Sequence, residues 1–137
     1  MDNKLIAKHF YEVVVSENLL DEVSKFVSEN CVLNMNGKII SIGFEGMKEH
    51  FIAVRKTYPE YSMKITRQFS DGDYVISEFI MTGMHEGEWL GIKPTYKKLS
   101  FGGINIDKFL GGKIVEHGGA VNTFETFWKN NLIKAAE

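Results

Sequence analysis

The break at Pro59 constrains this chain more than any other feature. Before it, apolar residues recur at intervals of three and four; after it, they stand in extended runs separated by tight turns, at 61–69, 74–84, 97–109 and 114–122. The first pair of runs flanks Ser70-Asp71-Gly72-Asp73 and the second flanks Leu110-Gly111-Gly112-Lys113, so each reads as a hairpin. Gly102-Gly103 and Gly118-Gly119 lie inside the last pair, where a strand is free to bulge or curl. Long antiparallel strands that bend at glycines wrap around helices instead of lying flat.

The segment ahead of Pro59 supplies those helices. Leu5, Ile6, Phe10, Val13 and Val14 repeat at helical spacing, with Lys4, Lys8 and Glu12 between them. Asn18 is placed to cap a second helix, with Asp21 three positions on and Leu19, Leu20, Val23, Phe26 and Val27 as its apolar stripe. Residues 31–43 carry the Asn36-Gly37 pair of a small hairpin. A third helix has Phe44, Met47, Phe51, Val54 and Tyr58 on one side until Pro59 stops it. The order helix, helix, hairpin, helix and four long strands predicts an α+β domain, three helices gathered against one face of a curved antiparallel sheet. A strongly curled sheet outruns its helices and leaves a pocket at one end.

At 137 residues a single domain spanning 1–137 is expected. An apolar fraction of 44%, with ten Phe, five Tyr and two Trp, is enough for a packed core without disulfide staples. Sixteen basic and 18 acidic residues leave a net charge of −2, with no basic stripe, so neither nucleic acid nor an anionic membrane is an expected partner. Cys31 is alone, which excludes an intrachain disulfide and multi-cysteine zinc spacings. The N-terminal stretch has no apolar run of signal-peptide length. A cytoplasmic location is the expectation.

Several polar residues on the strands invite a chemical reading. His85 sits in TGMHEGEWLGIKPT (82–95), where an extended run breaks into a glycine-rich connection; it is either a proton-exchanging group or a loop histidine tied to backbone. In IVEHGGAVN, alternation puts Ile114 with Glu116 and Val115 with His117, so His117 is either aimed into the concavity or held in the sheet. Lys108 alternates with Ile104 and Ile106, an uneasy phase for an ammonium without a partner, while Asp107 and Asn105 share the other phase; either phase is open to solvent. Glu78, amid aromatic and aliphatic neighbours, is a candidate base with a raised pKa, or a solvent-facing carboxylate paired across the sheet. No His-Glu-x-x-His, phosphate-binding loop or nucleophile elbow is present.

The 82–95 stretch, INIDKFLGGKIVEH and the element order together resemble the SnoaL-like polyketide cyclase family, within the nuclear transport factor 2-like superfamily of cone-shaped α+β domains. The matching residues are His85 and Gly87, Gly91 before Pro94-Thr95, Lys108, Gly112-Lys113-Ile114 and Glu116-His117. The resemblance implies intramolecular aldol chemistry without a metal or organic cofactor, on a small apolar or aromatic carbonyl-bearing molecule. It also implies pairing of two copies through their sheets. Carried over by position, it puts the catalytic base at Asn122, a basic partner at Lys108 and an oxyanion-holding asparagine at Asn34. The first transfer fails chemically, because a carboxamide has no protonated and deprotonated pair near neutral pH. Gly118 and Tyr96 also depart from the family's usual residues. Expected site residues are therefore Asn34, His85, Lys108, His117 and Asn122. Phe10, Val14, Met47, Phe51, Phe79, Met81 and Trp89 are expected as walls, and the function is either cofactor-independent cyclisation or isomerisation, ligand carriage, or dimeric interaction.

Overall fold

The computed structural model describes residues 2–136. Helix α1 (Asn3–His9) is capped by Asp2, whose side chain accepts from the Lys4 N–H, and runs on into a π-helical turn at Phe10–Val15. A 3₁₀ turn at Leu20–Glu22 and the single turn α2 (Val23–Phe26) lead into strand β1 (Val27–Met35) and its partner β2 (Lys38–Ser41). Helix α3 (Gly43–Thr57) follows, and then β3 (Ser62–Asp71), β4 (Tyr74–Met84), β5 (Lys98–Leu110), β6 (Lys113–Val121) and α4 (Thr123–Lys129).

The α+β architecture is as expected, with the strands in one six-stranded sheet of order β2-β1-β6-β5-β4-β3. The sheet is mixed, because β1 runs parallel to β6 while the other neighbours are antiparallel. The second helix is shorter than its apolar stripe suggests. Asn18 is left-handed at φ 57°, Leu19 holds the cap position of the 3₁₀ turn, and Val27 has already turned into β1. Val27, the last residue of the stripe, is the first of β1 and pairs with Ile114 of β6, so sheet pairing takes over where the helix would continue. Helix α4 was not anticipated; it begins where Asn122 caps it.

The first helical segment buries Ala7, Phe10, Tyr11, Val14 and Val15 and leaves Leu5 58% exposed. Its buried stripe is rotated from the Leu5–Val13 face, already at Ala7, and the π turn that follows, closed by Ser16 N–H to the Tyr11 carbonyl, places Tyr11, Val14 and Val15 in the core. Arg55 of α3 donates to the Val15 and Ser16 carbonyls and so fastens the end of that turn. Glu12 accepts the Ile65 N–H from β3.

Alternation sorts the central strands cleanly. On β4, Val75, Ser77, Phe79 and Met81 are buried; on β5, Leu99, Phe101, Asn105, Asp107 and Phe109 are buried. Ile76, Ile80, Ile104, Ile106 and Leu110 occupy the outer face of the same strands and are exposed. The bulge that resets the phase is not at a glycine pair. Lys108 pairs with Glu116 but Phe109 pairs with Ile114, so Val115 is the extra residue. Such a bulge needs no positive φ, and it turns Ile114 and His117 to the same inner face against simple alternation. Gly103 leaves room for the Phe79 ring, which a Cβ would approach to 2.3 Å, and Gly119 sits at φ +135° with the Ile104 carbonyl where a side chain would start. Among the described residues no helix is long and apolar enough to cross a membrane.

Candidate functional site

The concave face is apolar except around Asp107. That carboxylate is fully buried, and it accepts from the Tyr11 hydroxyl at 2.6 Å on one oxygen and from His117 Nδ1 at 2.6 Å on the other. An ionised carboxylate only accepts, so the contact assigns the proton to His117 Nδ1 and leaves Nε2 as the atom free to exchange one. Tyr11 Oη also stands 3.3 Å from Nδ1, closing a three-residue cluster built from the π turn, β5 and β6. Burial on its own lowers the His117 pKa; the charge of Asp107 and the hydrogen bond to it oppose that and win, holding it above the ordinary 6.5. Burial, and then Asp107, push the Tyr11 phenol well up, so it remains a donor. The Cys31 thiol is pushed up to about 11 by burial and by Asp107 and Glu116, which makes it a poor nucleophile.

His117 borders a cavity of about 350 Å³ between α3 and the sheet. Phe51, Val54, Phe79, Met81, Trp89 and Val121 wall it, and Phe51, Phe79, Met81 and Trp89 are among the walls expected from the sequence. Phe10 and Val14 belong to the packed core beneath, and Met47 borders a second cavity of about 310 Å³. His50, Asn105, His117 and Val121 border both cavities, so the histidine–aspartate pair lies at their junction. Asn105 Nδ2 is buried there without a hydrogen-bond partner among the described residues. An amide donor beside an imidazole is the arrangement that would hold a ligand oxygen while a proton moves nearby. Partial burial, with the charge of His117, lowers the His50 pKa, so His50 is the more readily neutral of the two.

Other expected site residues lie elsewhere. Lys108 is on the outer face with Ile104 and Ile106, its Nζ 5.7 Å from the Tyr74 ring centroid. Asn122 accepts the Glu125 N–H at 3.2 Å and caps α4, bordering two open depressions of about 510 Å³ each instead of the cavity. Asn34 reaches the second cavity, but its Oδ1 accepts the Gly37 N–H at 2.8 Å and holds the β1–β2 turn. His85 is wholly buried beneath the β4–β5 connection. Its Nδ1 accepts the Thr95 N–H at 3.3 Å, and the ring packs on Tyr58 without bordering the cavity. Glu78 faces outward, bonded to Thr66 at 2.9 Å and Arg67 at 3.1 Å, which lowers its pKa instead of raising it. Among the described residues no group of three or more His, Cys, Asp and Glu is placed to hold a metal ion.

The residues that do meet are Tyr11, Asn105, Asp107 and His117, with His50 and Tyr58 further along the wall. Asp107 and Asn105 were within reach of sequence reasoning, because Leu99, Phe101 and Phe109 share their phase and outweigh Ile104 and Ile106 in bulk. Tyr11 carried no such signal: its partner is 96 residues away.

A family model described as SnoaL-like polyketide cyclase matches residues 5–128. Among solved structures, a protein of Acidithiobacillus ferrooxidans is similar at 22% identity and TM-score 0.83, over 96% of each chain. IdmH of Streptomyces antibioticus is similar at 16% identity and TM-score 0.82, over 96% of this chain and 99% of its own. A SnoaL-like polyketide cyclase of Agrobacterium tumefaciens matches at 14% identity and TM-score 0.82, covering 96% of this chain and 98% of its own. At these identities the structural likeness establishes the fold. No curated protein matches the sequence.

Proposed function

Because the chain belongs to the SnoaL-like polyketide cyclase family, we propose that it catalyses cofactor-independent proton transfer on a small, mainly apolar carbonyl compound. The observation that carries this is the Asp107–His117 pair at 2.6 Å, opening onto an apolar cavity beside the unpartnered Asn105 amide. In the neutral imidazole, Nδ1–H stays on Asp107 and the Nε2 lone pair takes a proton from the carbon next to the carbonyl. Asp107 stabilises the imidazolium that results, and Asn105 Nδ2 donates to the oxygen as it gains enolate charge. The enolate then attacks a second carbonyl of the same molecule, giving ring closure, or is reprotonated at another carbon, giving isomerisation. His117 returns the proton in either case.

The carrier alternative rested on an asparagine at the expected base position. Asn122 caps α4 outside the cavity, so its identity does not bear on chemistry inside it. The outer sheet face, with Ile80 at 44%, Ile104 at 43% and Ile106 at 41% exposure, favours a second copy of this chain as the partner, a proposal that sedimentation at micromolar concentration tests. A reducing, cytoplasmic setting suits the single buried thiol.

The chemistry is tested by incubating the protein with 2-tetralone in deuterated buffer and following loss of the protons next to the carbonyl by NMR. Exchange above the buffer rate that falls about 10²-fold or more in His117→Gln is expected. Exchange at the buffer rate, or exchange indifferent to His117→Gln, would remove the proposal.

A further inference from the structure

A second set of polar atoms without partners lies at the other end of the cavity. Tyr58, at the C-terminal end of α3, is 1% exposed and lines the cavity wall, yet among the described residues its hydroxyl has no hydrogen-bond partner. His85 packs on it with ring centroids 5.6 Å apart and planes only 30° from parallel, and its Nε2 is likewise buried and unpartnered. Nδ1 of His85 lies 3.1 Å from the Thr95 hydroxyl and 3.3 Å from the Thr95 N–H; the N–H can only donate, so the tautomer that serves both contacts has Nδ1 as acceptor and the proton on Nε2. Burial pushes the Tyr58 phenol upward, so this hydroxyl is a donor too. Two neighbouring buried donors without acceptors cost more free energy than an apolar pair would, and a chain keeps such groups where something else supplies the acceptor.

The position of this end is set by the sheet. The Tyr58 ring meets Phe101 edge-on at 5.7 Å, and Phe101 stands four residues before Asn105 on the inner face of β5. At about 3.3 Å of rise per residue, the two ends are separated by roughly 13 Å along the strand. Phe79, Met81 and Trp89 line the cavity they share, with no polar side chain from β4 between them.

We propose that Tyr58, backed by His85, is a second recognition point, and that the cavity takes an elongated, rigid, largely apolar molecule with an oxygen acceptor at each end. One acceptor is the carbonyl held beside Asn105 and His117, and the other, on the order of 10 Å away, receives the Tyr58 hydroxyl. Tyr58 is a specificity residue here and takes no part in proton transfer. This extends the reading of the cavity as a carbonyl site, on which it rests.

Two naphthyl ketones test it. 2-Acetonaphthone and 6-methoxy-2-acetonaphthone share the carbonyl and the rings, and only the second has an acceptor oxygen at the far edge. Fluorescence titration of the native protein should show binding of the methoxy compound about 3- to 10-fold tighter, the worth of one neutral hydrogen bond. Tyr58→Phe, which keeps the ring on Phe101, should bind both compounds alike. Asn105→Leu should weaken both by a similar factor and leave the preference in place. Equal native affinities, no binding of either compound, a preference that survives Tyr58→Phe or one that vanishes in Asn105→Leu would each overturn the two-ended assignment. Failure of deuterium exchange with the methoxy preference intact would instead remove the proton-transfer reading alone.

Discussion

Asp107 and Lys108 are adjacent on β5 and have opposite fates. The carboxylate turns inward, is fully buried, and holds two donors at 2.6 Å; the ammonium turns outward over a tyrosine ring, among isoleucines that are themselves exposed. On the inner face a charge is affordable only because its acceptors are filled, and the filling orients an imidazole toward the cavity. On the outer face solvent screens the charge and no geometry is imposed. A charged residue in a strand therefore signals a site only when its own phase is the packed one.

That contrast sets the order of expected effects. Asp107→Ala strips a partner from two buried groups, Tyr11 and His117, and should cost about 2–4 kcal/mol of stability in urea unfolding. It should also remove at least 10²-fold, approximately, of any deuterium exchange on 2-tetralone. His117→Gln should cost a comparable factor in exchange but about 1 kcal/mol in stability, because Asp107 keeps the Tyr11 hydroxyl as a donor. Tyr11→Phe leaves Asp107 with its histidine and should lower exchange by about tenfold or less, with a stability loss near 1 kcal/mol. Lys108→Ala should change neither by more than about 0.5 kcal/mol or twofold. A large effect at Lys108, or none at Asp107, would erase the distinction between the faces.

The same pair has a pH signature. The His117 pKa is raised in the folded protein, so the stabilisation from its protonated form is complete below the ordinary 6.5 and disappears as pH rises through the higher folded value. Exchange catalysis has the opposite slope, since the base is the neutral ring. Its rate should climb with pH and level off, with a midpoint above 6.5 that Asp107→Asn moves downward.

The fold was readable because its signals are local: the helical period ahead of Pro59, the Asn36-Gly37 turn and four alternating runs after it. Tertiary terms decided the rest. The bulge at Val115 has no glycine to announce it, and one extra residue was enough to bring Ile114 and His117 onto one face. The π turn that presents Tyr11 shows no composition of its own, and the buried stripe of α1 differs from the most apolar face in sequence. Lys108 is a sequence candidate because it falls at the SnoaL-like family's basic position and alternates with Ile104 and Ile106; the greater bulk of Leu99, Phe101 and Phe109 on the other phase is the one signal that the isoleucines are the exposed set. Asn34 and Asn122 answer to turns and caps, the commonest uses of asparagine.

Everything chemical depends on Asp107 holding His117 as a base whose free nitrogen meets the cavity. Imidazole NMR titration of histidine-labelled protein, native and Asp107→Asn, measures this directly. The account predicts a native His117 that titrates above 6.5 with its proton on Nδ1 in the neutral form, and a midpoint that falls below 6.5 once the carboxylate is gone. A His117 midpoint at or below 6.5 in the native protein, or one unmoved by Asp107→Asn, would contradict it.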